Sequence, residues 1–426
     1  MTTFSAEVFQ NEYLPAGADT VDAVVTVKSL EGGGGAATAT QDAIEIIVID
    51  TSGSMQEESG AKMHSAKVAT QAAIRNIRDG VKFAVVGGNH QAYPIYPASG
   101  LAVSDPQTRD QASQMVNGVR ADGGTAMGSW LSAAGSLARL DPTAICHVLL
   151  LTDGRNEHET PNQFDSAISS CVGLLQCDAR GLGAAWEVAE LRKVAAALLG
   201  TADIIPSPDQ MEAEFTRLMQ QSMQKQVGDV ALRLWTPKGS TIDFIKQVAP
   251  ELRDLTGSAA PVNPLTNDYP LGAWADAEDR DYHIRIRVPV GGVGDERLAS
   301  RVMLIVDGAE QPAALVRAVW TDDNRLSTRI NREVAHYTGQ AELADAIADG
   351  LAARDSGDQK TATIKLGRAV QIAHEAGNSD TVRLLQKVVD VENAQTGTVR
   401  LKNQVERSDE MALDVRSTKT VRVKKG

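Results

Sequence analysis

The chain has 426 residues, 42 % of them apolar and 23 % charged, and its 42 basic and 55 acidic side chains leave a formal charge of −13. That length exceeds one ordinary core and implies two or three domains, while the composition is that of a folded, water-soluble chain. The acidic balance disfavours nucleic acid and anionic membrane as general partners, and no run of about eighteen apolar residues is present to span a bilayer.

The opening stretch MTTFSAEVFQNEYLP has no basic region leading into an apolar one, and Cys146, Cys171 and Cys177 form no CxxC pair. The expectation is a cytoplasmic protein with buried thiols.

In chain order, residues 5–30 contain VDAVVTVKSL, whose alternating β-branched residues predict a strand, and Glu31-Gly32-Gly33-Gly34-Gly35-Ala36-Ala37 follows as a flexible joint. From 43 to about 225, strand-like runs alternate with helical patterns. The strands are IEIIVID, VKFAVVG (81–87), ICHVLLLTD (145–153), VGLLQCDARG (172–181) and TADIIP (201–206). The helical segments are KMHSAKVATQAAIRNIRDG, SDPQTRDQASQMVNG, TAMGSWLSAAGSLARL, WEVAELRKVAAALLG and DQMEAEFTRLMQQSM. Strands apolar on both faces have to be covered on both faces, so residues 41–226 are expected to form an α/β domain, a doubly wound, mostly parallel, Rossmann-like sheet between helix layers.

Over 227–328 the pattern becomes that of antiparallel strands with one wet face: VALRLWTP, HIRIRVPV, RVMLIVDG and AALVRAVW, separated by Pro and Gly turns. These strands predict a β-sandwich, completed by strands from residues 1–40, with the α/β domain inserted into it. Residues 329–396 carry three helical stripes broken at DSGD and EAGNSD and predict a helical bundle. The segment 397–426 reads as a basic flexible tail. In it Thr418 and Thr420 lie among lysines and arginines and are candidate phosphorylation sites for a phosphothreonine-reading partner.

The chemistry is concentrated where the apolar strands end. IEIIVIDTSGSM delivers Asp50, Ser52 and Ser54 to the carboxyl edge of the sheet, where ligands of open α/β sheets sit. LLTDG brings Asp153 to the same edge, and ADGGTAM supplies Thr125 ahead of a helix, with Gly123 and Gly124 allowing a tight turn. Each taken alone has a plainer reading, since Asp, Ser and Thr are preferred helix caps and turn residues. Together they are oxygen donors without nitrogen or sulfur. That set suits a hard cation, Mg²⁺ first and Mn²⁺ or Ca²⁺ as alternatives, and leaves an octahedral position for an outside oxygen.

The five positions, in this order, resemble the metal-ion-dependent adhesion site of von Willebrand factor type A (VWA) domains. The resemblance spans residues 43 to about 225 and is of a bacterial, intracellular multidomain type. It implies the same doubly wound fold, a bound Mg²⁺, and an exposed Asp or Glu of a protein ligand completing the metal shell. It therefore implies protein binding in assembly or regulation rather than turnover, and a last helix, 208–223, whose position is coupled to the metal.

Gly124, His158 and Glu159 are expected to rim the ligand seat. Trp130 and Trp186 are read as packing residues and His147 as a core imidazole. The alternative is a metal-dependent hydrolase or phosphatase using the Asp50 cluster. Against it, the second acid such phosphatases carry two residues after the nucleophile is replaced by Ser52, and the sequence places no partner lysine.

Overall fold

The computed structural model describes residues 3–30 and 42–423, which fall into two compact units. The Gly-rich joint and the last three residues lie outside the described residues. Among the described residues no helix is long and apolar enough to cross a membrane.

The α/β unit comprises residues 42–228 together with 272–275. Its main sheet runs Ala202–Ile205, Gln176–Leu182, Ile145–Thr152, Ala43–Asp50, Lys82–Gly88, Ala92–Tyr96. The first five strands are parallel, and Ala92–Tyr96 closes the edge antiparallel. Ala43–Asp50 is central and buried almost throughout because both its faces are covered. On one face Ile47, Ile49, Phe83, Val85, Leu149 and Leu151 pack with Met63, Ala66 and Ala73 of helix Ala61–Arg75, with Ala112 and Val116 of Pro106–Asn117, and with Phe215 and Leu218 of Met211–Ser222. Helices Met127–Ala138, Pro161–Cys171 and Val188–Ala197 carry the buried Trp130, Leu131, Phe164, Ile168, Leu191 and Val194. Trp130 lies directly on Gly88 and Trp186 on Gly181, so that a methyl group at either glycine would occupy the indole; both tryptophans are packing residues. Pro161–Cys171 is a helix that the sequence reading passes over.

The register fixes the carboxyl edge. Ile49 pairs with Leu151 and Asp50 with Gly88, so Asp50 and Thr152 emerge side by side.

The second unit takes residues from both sides of the first. One sheet runs Thr3–Gln10, Thr20–Leu30, Asp279–Arg287, Thr241–Ala249, Arg253–Asp254; the other runs Ala260–Asn263, Thr266–Pro270, Val230–Trp235, Glu296–Val306, Ala309–Thr321, Tyr13–Pro15. All pairings are antiparallel except that of Tyr13–Pro15 with Ala309–Thr321. Thr20–Leu30 is thus zipped between its N-terminal neighbour and a strand some 250 residues later. The α/β unit is inserted between them. The alternating apolar residues of these strands, among them Val25, Val27, Ile284, Leu232 and Leu304, are buried.

Helices Arg332–Asp355, Gln359–Glu375 and Ser379–Val388 form a helical core through Leu343, Ile347, Leu366, Val370 and Leu385. This core does not end at 396. The hairpin Val389–Asn393/Thr398–Leu401 and helix Arg407–Arg416 add Val389, Val399 and Leu413 to it.

The basic flexible tail is therefore corrected: from 397 to Val423 the chain is folded. Leu252 N–H donates to Thr418 O at 2.7 Å, Thr420 Oγ1 donates to Val248 O at 2.6 Å, and Arg422 pairs with Asp279 and Asp281 at 2.6 and 2.9 Å. Backbone pairing along a sheet edge holds this segment, and such pairing leaves no apolar pattern to read. Thr418 and Thr420 are half-buried in that contact.

Candidate metal centre

The strand Ala43–Asp50 ends because Asp50 is followed by a turn whose backbone its own carboxylate organises: Asp50 Oδ1 accepts from Ser52 N–H at 2.8 Å. Asp50 Oδ2 accepts from Thr152 Oγ1 at 2.7 Å and from Asp153 N–H at 3.3 Å. One carboxylate thus ties two strand ends together and is fully buried. Burial, and next to it the charge of Asp153, push its pKa up to about 6.

Ser52 and Ser54 turn their hydroxyls towards each other, Oγ to Oγ 2.9 Å, and Ser54 Oγ donates to Asp153 Oδ1 at 2.5 Å. The intervening Thr51 points elsewhere, its hydroxyl bonded to Gly88 O at 3.1 Å and to Tyr93 OH at 3.0 Å.

The third loop is clamped to the first, with Gly53 N–H donating to Gly123 O at 2.8 Å and Asp122 N–H to Thr51 O at 2.7 Å. This brings Thr125 to the same place. A Cβ at Gly154 would stand 3.2 Å from Thr125 Oγ1 and 3.7 Å from Ser54 Oγ. Thr125 is buried, and its hydroxyl has no hydrogen-bond partner among the described residues.

None of these residues serves as a helix cap. The helix at Ala61 is preceded by Gly60 in the left-handed region, the helix at Met127 by Ala126, and neither has a side-chain cap.

His158 and Glu159 are brought to this edge, but as supports of the Thr125 loop. The His158 ring lies against Gly124, where a Cβ would collide with it, and its Nδ1 accepts from Thr125 N–H at 3.2 Å. Glu159 Oε1 accepts from Gly128 N–H at 2.6 Å, and Asn156 Oδ1 from Met127 N–H at 2.9 Å. Both meet the free N–H groups of the helix that Thr125 precedes. Thr418 and Thr420 belong to the other unit.

Two participants escape the sequence reading. Thr152 orients Asp50, and its only signal is its place beside Asp153. Lys62 Nζ bonds Asp153 Oδ2 at 2.9 Å and Glu57 Oε2 at 2.8 Å, with its side chain 9 % exposed. Burial alone depresses an ammonium, but the hydrogen bonds and charges of Glu57 and Asp153 outweigh that and hold Lys62 above its usual range. A lysine in the first turn of a helix opposes the macrodipole, but nothing in the sequence names the carboxylate that holds it there.

The donor set fits a small hard cation. The 2.9 Å between the two serine hydroxyls is close to the roughly 3 Å edge of an octahedron with metal–oxygen distances of about 2.1 Å. Among the described residues the buried charged groups at this edge are the carboxylates of Asp50 and Asp153 and the ammonium of Lys62, an excess of one negative charge that a cation would offset.

A parallel sheet between helix layers, with a hydroxyl-and-carboxylate cluster on three loops at its carboxyl edge, defines a VWA-type domain. The model of the von Willebrand factor type A domain matches residues 45–204, and that of the von Willebrand factor type A C-terminal domain matches residues 371–417. The solved structure of a von Willebrand factor type A protein from Catenulispora acidiphila is 49 % identical, covers 99 % of this chain and 98 % of its own, and superposes with a TM-score of 0.92. The chain belongs to the von Willebrand factor type A family. The ArnB paralog VWA2 from Sulfolobus acidocaldarius shares the fold over 97 % of this chain and 98 % of its own, at 12 % identity and a TM-score of 0.59. An uncharacterized protein of Synechocystis is 26 % identical over 222 residues, 49 % of each chain. The chain thus spans about half the length of that curated relative.

Proposed function

We propose that the α/β unit is a divalent-cation-dependent protein-binding module acting in protein assembly or regulation. Mg²⁺, or Mn²⁺ or Ca²⁺ in its place, is held by the hydroxyls of Ser52, Ser54 and Thr125 with the carboxylates of Asp50 and Asp153, directly or through water. The cation supplies a Lewis-acidic position for an exposed Asp or Glu of a partner protein. The observation that carries this reading is the cluster of two fully buried carboxylates beside one ammonium, with the hydroxyls of Ser52, Ser54 and Thr125 at the same edge.

Binding is favoured over turnover because Asp50 is closed to substrate. It is fully buried, both its oxygens already accept hydrogen bonds, and an in-line attack needs a free, exposed oxygen. Phosphoester turnover lost on Asp50→Ala would reverse this preference.

The test is thermal unfolding against Mg²⁺ concentration after chelator treatment. At a hundred times Kd, mass action stabilises the unit by about 2.7 kcal/mol, a rise in Tm of roughly 5–10 °C. Asp50→Ala should abolish that rise and any Mg²⁺-dependent capture of partners. A wild-type Tm indifferent to Mg²⁺ and Mn²⁺ sinks the proposal.

A further inference from the structure

We infer that Lys62 is a built-in counter-charge that weakens the cation's hold on the site and in return makes the loaded site selective for a single added carboxylate. The inference rests on the cation-binding reading above and concerns a residue outside its donor set.

The ammonium is tethered. It is nearly buried, bonds Asp153 Oδ2 at 2.9 Å, and is braced from the solvent side by Glu57, whose side chain is 65 % exposed. Its position in the first turn of Ala61–Arg75, where the helix dipole repels a cation, means that Asp153 and Glu57 hold it there against a local preference.

Charge accounting then gives the function. Asp50, Asp153 and Lys62 sum to −1, and water screens the exposed Glu57. A dication brings the buried cluster to +1, and one monoanionic carboxylate closes it at zero. Without Lys62 the dication alone would neutralise the two aspartates, and a third carboxylate would bury an uncompensated negative charge. Lys62 therefore opposes the metal, since like charges repel across a dry site, and favours the anion that follows it. The order of events is built in: the site is unsaturated in charge until a partner's acidic side chain arrives.

The experiment uses the full chain with Mn²⁺ as probe, its binding read by water-proton relaxation, and acetate as the carboxylate that displaces Mn²⁺-bound water. Lys62→Gln should bind Mn²⁺ more tightly than wild type, on the order of tenfold, and should need on the order of tenfold more acetate to lose the same bound water. Lys62→Arg, which keeps the charge, should stay within about threefold of wild type on both measures. Glu57→Gln changes an exposed residue and leaves the fold undisturbed; by releasing Lys62 to Asp153 it should weaken Mn²⁺ binding several-fold. Tighter binding cannot come from a misfolded variant, and Glu57→Gln reads the same interaction if Lys62→Gln does not fold. Wild-type Mn²⁺ affinity that neither variant changes, or an acetate midpoint that does not move in Lys62→Gln, overturns this inference alone. Absence of Mn²⁺ binding in wild type and in every variant rejects the cation site itself, and the inference with it.

Discussion

At the scale of residues, the site separates side chains that would touch a cation from those that hold them in place. Thr152 is of the second kind: fully buried, it spends its hydroxyl on Asp50 Oδ2 at 2.7 Å. Thr152→Val keeps the shape and removes the donor. Chemical denaturation of the metal-free protein should show a loss of about 1.5–3 kcal/mol, the usual cost of a hydrogen bond to a buried charge, while Mg²⁺ still raises Tm. Thr125→Ala should do the reverse, costing the metal-free protein little because its hydroxyl has no partner to lose, but removing the Mg²⁺ response. If both variants behave alike, the division of roles is wrong. The five oxygen donors were legible because each sits where an apolar strand or a Gly-Gly turn ends. Lys62 was not. Its partner Asp153 lies 91 residues away, and only the fold brings the two together.

At the scale of elements, the opposite edge of the same sheet carries a second charged cluster. His147 lies between Glu45 Oε2 at 2.8 Å and Asp178 Oδ2 at 3.0 Å, all three at strand starts, and Ser222 at the end of the last α/β helix donates to Glu45. That helix is tied nearer its start by Glu214, which accepts from the buried Arg180 at 2.7 Å. The core imidazole of the sequence reading is thus clamped between two carboxylates beneath the helix expected to shift. Burial pulls His147 down, but the charge of Glu45 and the bonds to both carboxylates outweigh it and raise its pKa to about 10. Asp178 moves the other way: burial would raise it, and the bond to His147 holds it well below the usual carboxylate range. The signs follow by linkage. A raised histidine stabilises fully below its unfolded pKa of about 6.5 and loses that contribution as pH climbs towards 10; a lowered aspartate contributes above about 3.9 and loses it in acid. Tm should therefore fall between pH 7 and 10 more steeply in wild type than in His147→Gln, a variant that should itself cost about 3–5 kcal/mol at neutral pH by stranding two carboxylates. Parallel pH slopes would show that the imidazole is neutral. The helices around this sheet were legible from apolar spacing, and the exception is instructive. Pro161–Cys171 packs through Phe164, Ala167, Ile168 and Cys171, a correct helical spacing with only two large apolar side chains in a polar run. Thr241–Ala249 was hidden differently, because bulges near both its ends break the alternation that marks a strand.

At the scale of the whole molecule, the unit that hosts the insertion is built from distant parts of the chain, and residues 418–423 close it. Thr418, Lys419 and Thr420 pair with the edge at 250–252, His336 Nε2 donates to Val421 O at 2.6 Å, and Val423 packs on the cluster of Val24, Val248, Ala249, Val334 and Tyr337. Arg422 meets Asp281, which is 4 % exposed and also accepts from Tyr337 OH. A segment rich in lysine and threonine reads as a solvated tail because most of its contacts are backbone pairing and the two ion pairs of Arg422, which need no apolar residues, and Val423 supplies a single apolar contact too sparse to make a pattern. Deleting 418–426 would leave Asp281 short of its cation and the 250–252 edge unpaired. Because Arg422 is itself one-third exposed, the expected loss is that of a hydrogen-bonded charge, about 2–3 kcal/mol, not the full cost of a broken buried pair. Amide exchange should accelerate at 245–254 and around Tyr337 while the sheet of the α/β unit keeps its protection. Thr420→Glu should give a milder form of the same change, since a charged side chain cannot donate to Val248 O, and a phosphate at Thr420 would act in the same direction. Unchanged exchange at 245–254 in the truncated protein would mean that the edge strand is stable without its strap, and that release of the segment has no structural consequence to transmit.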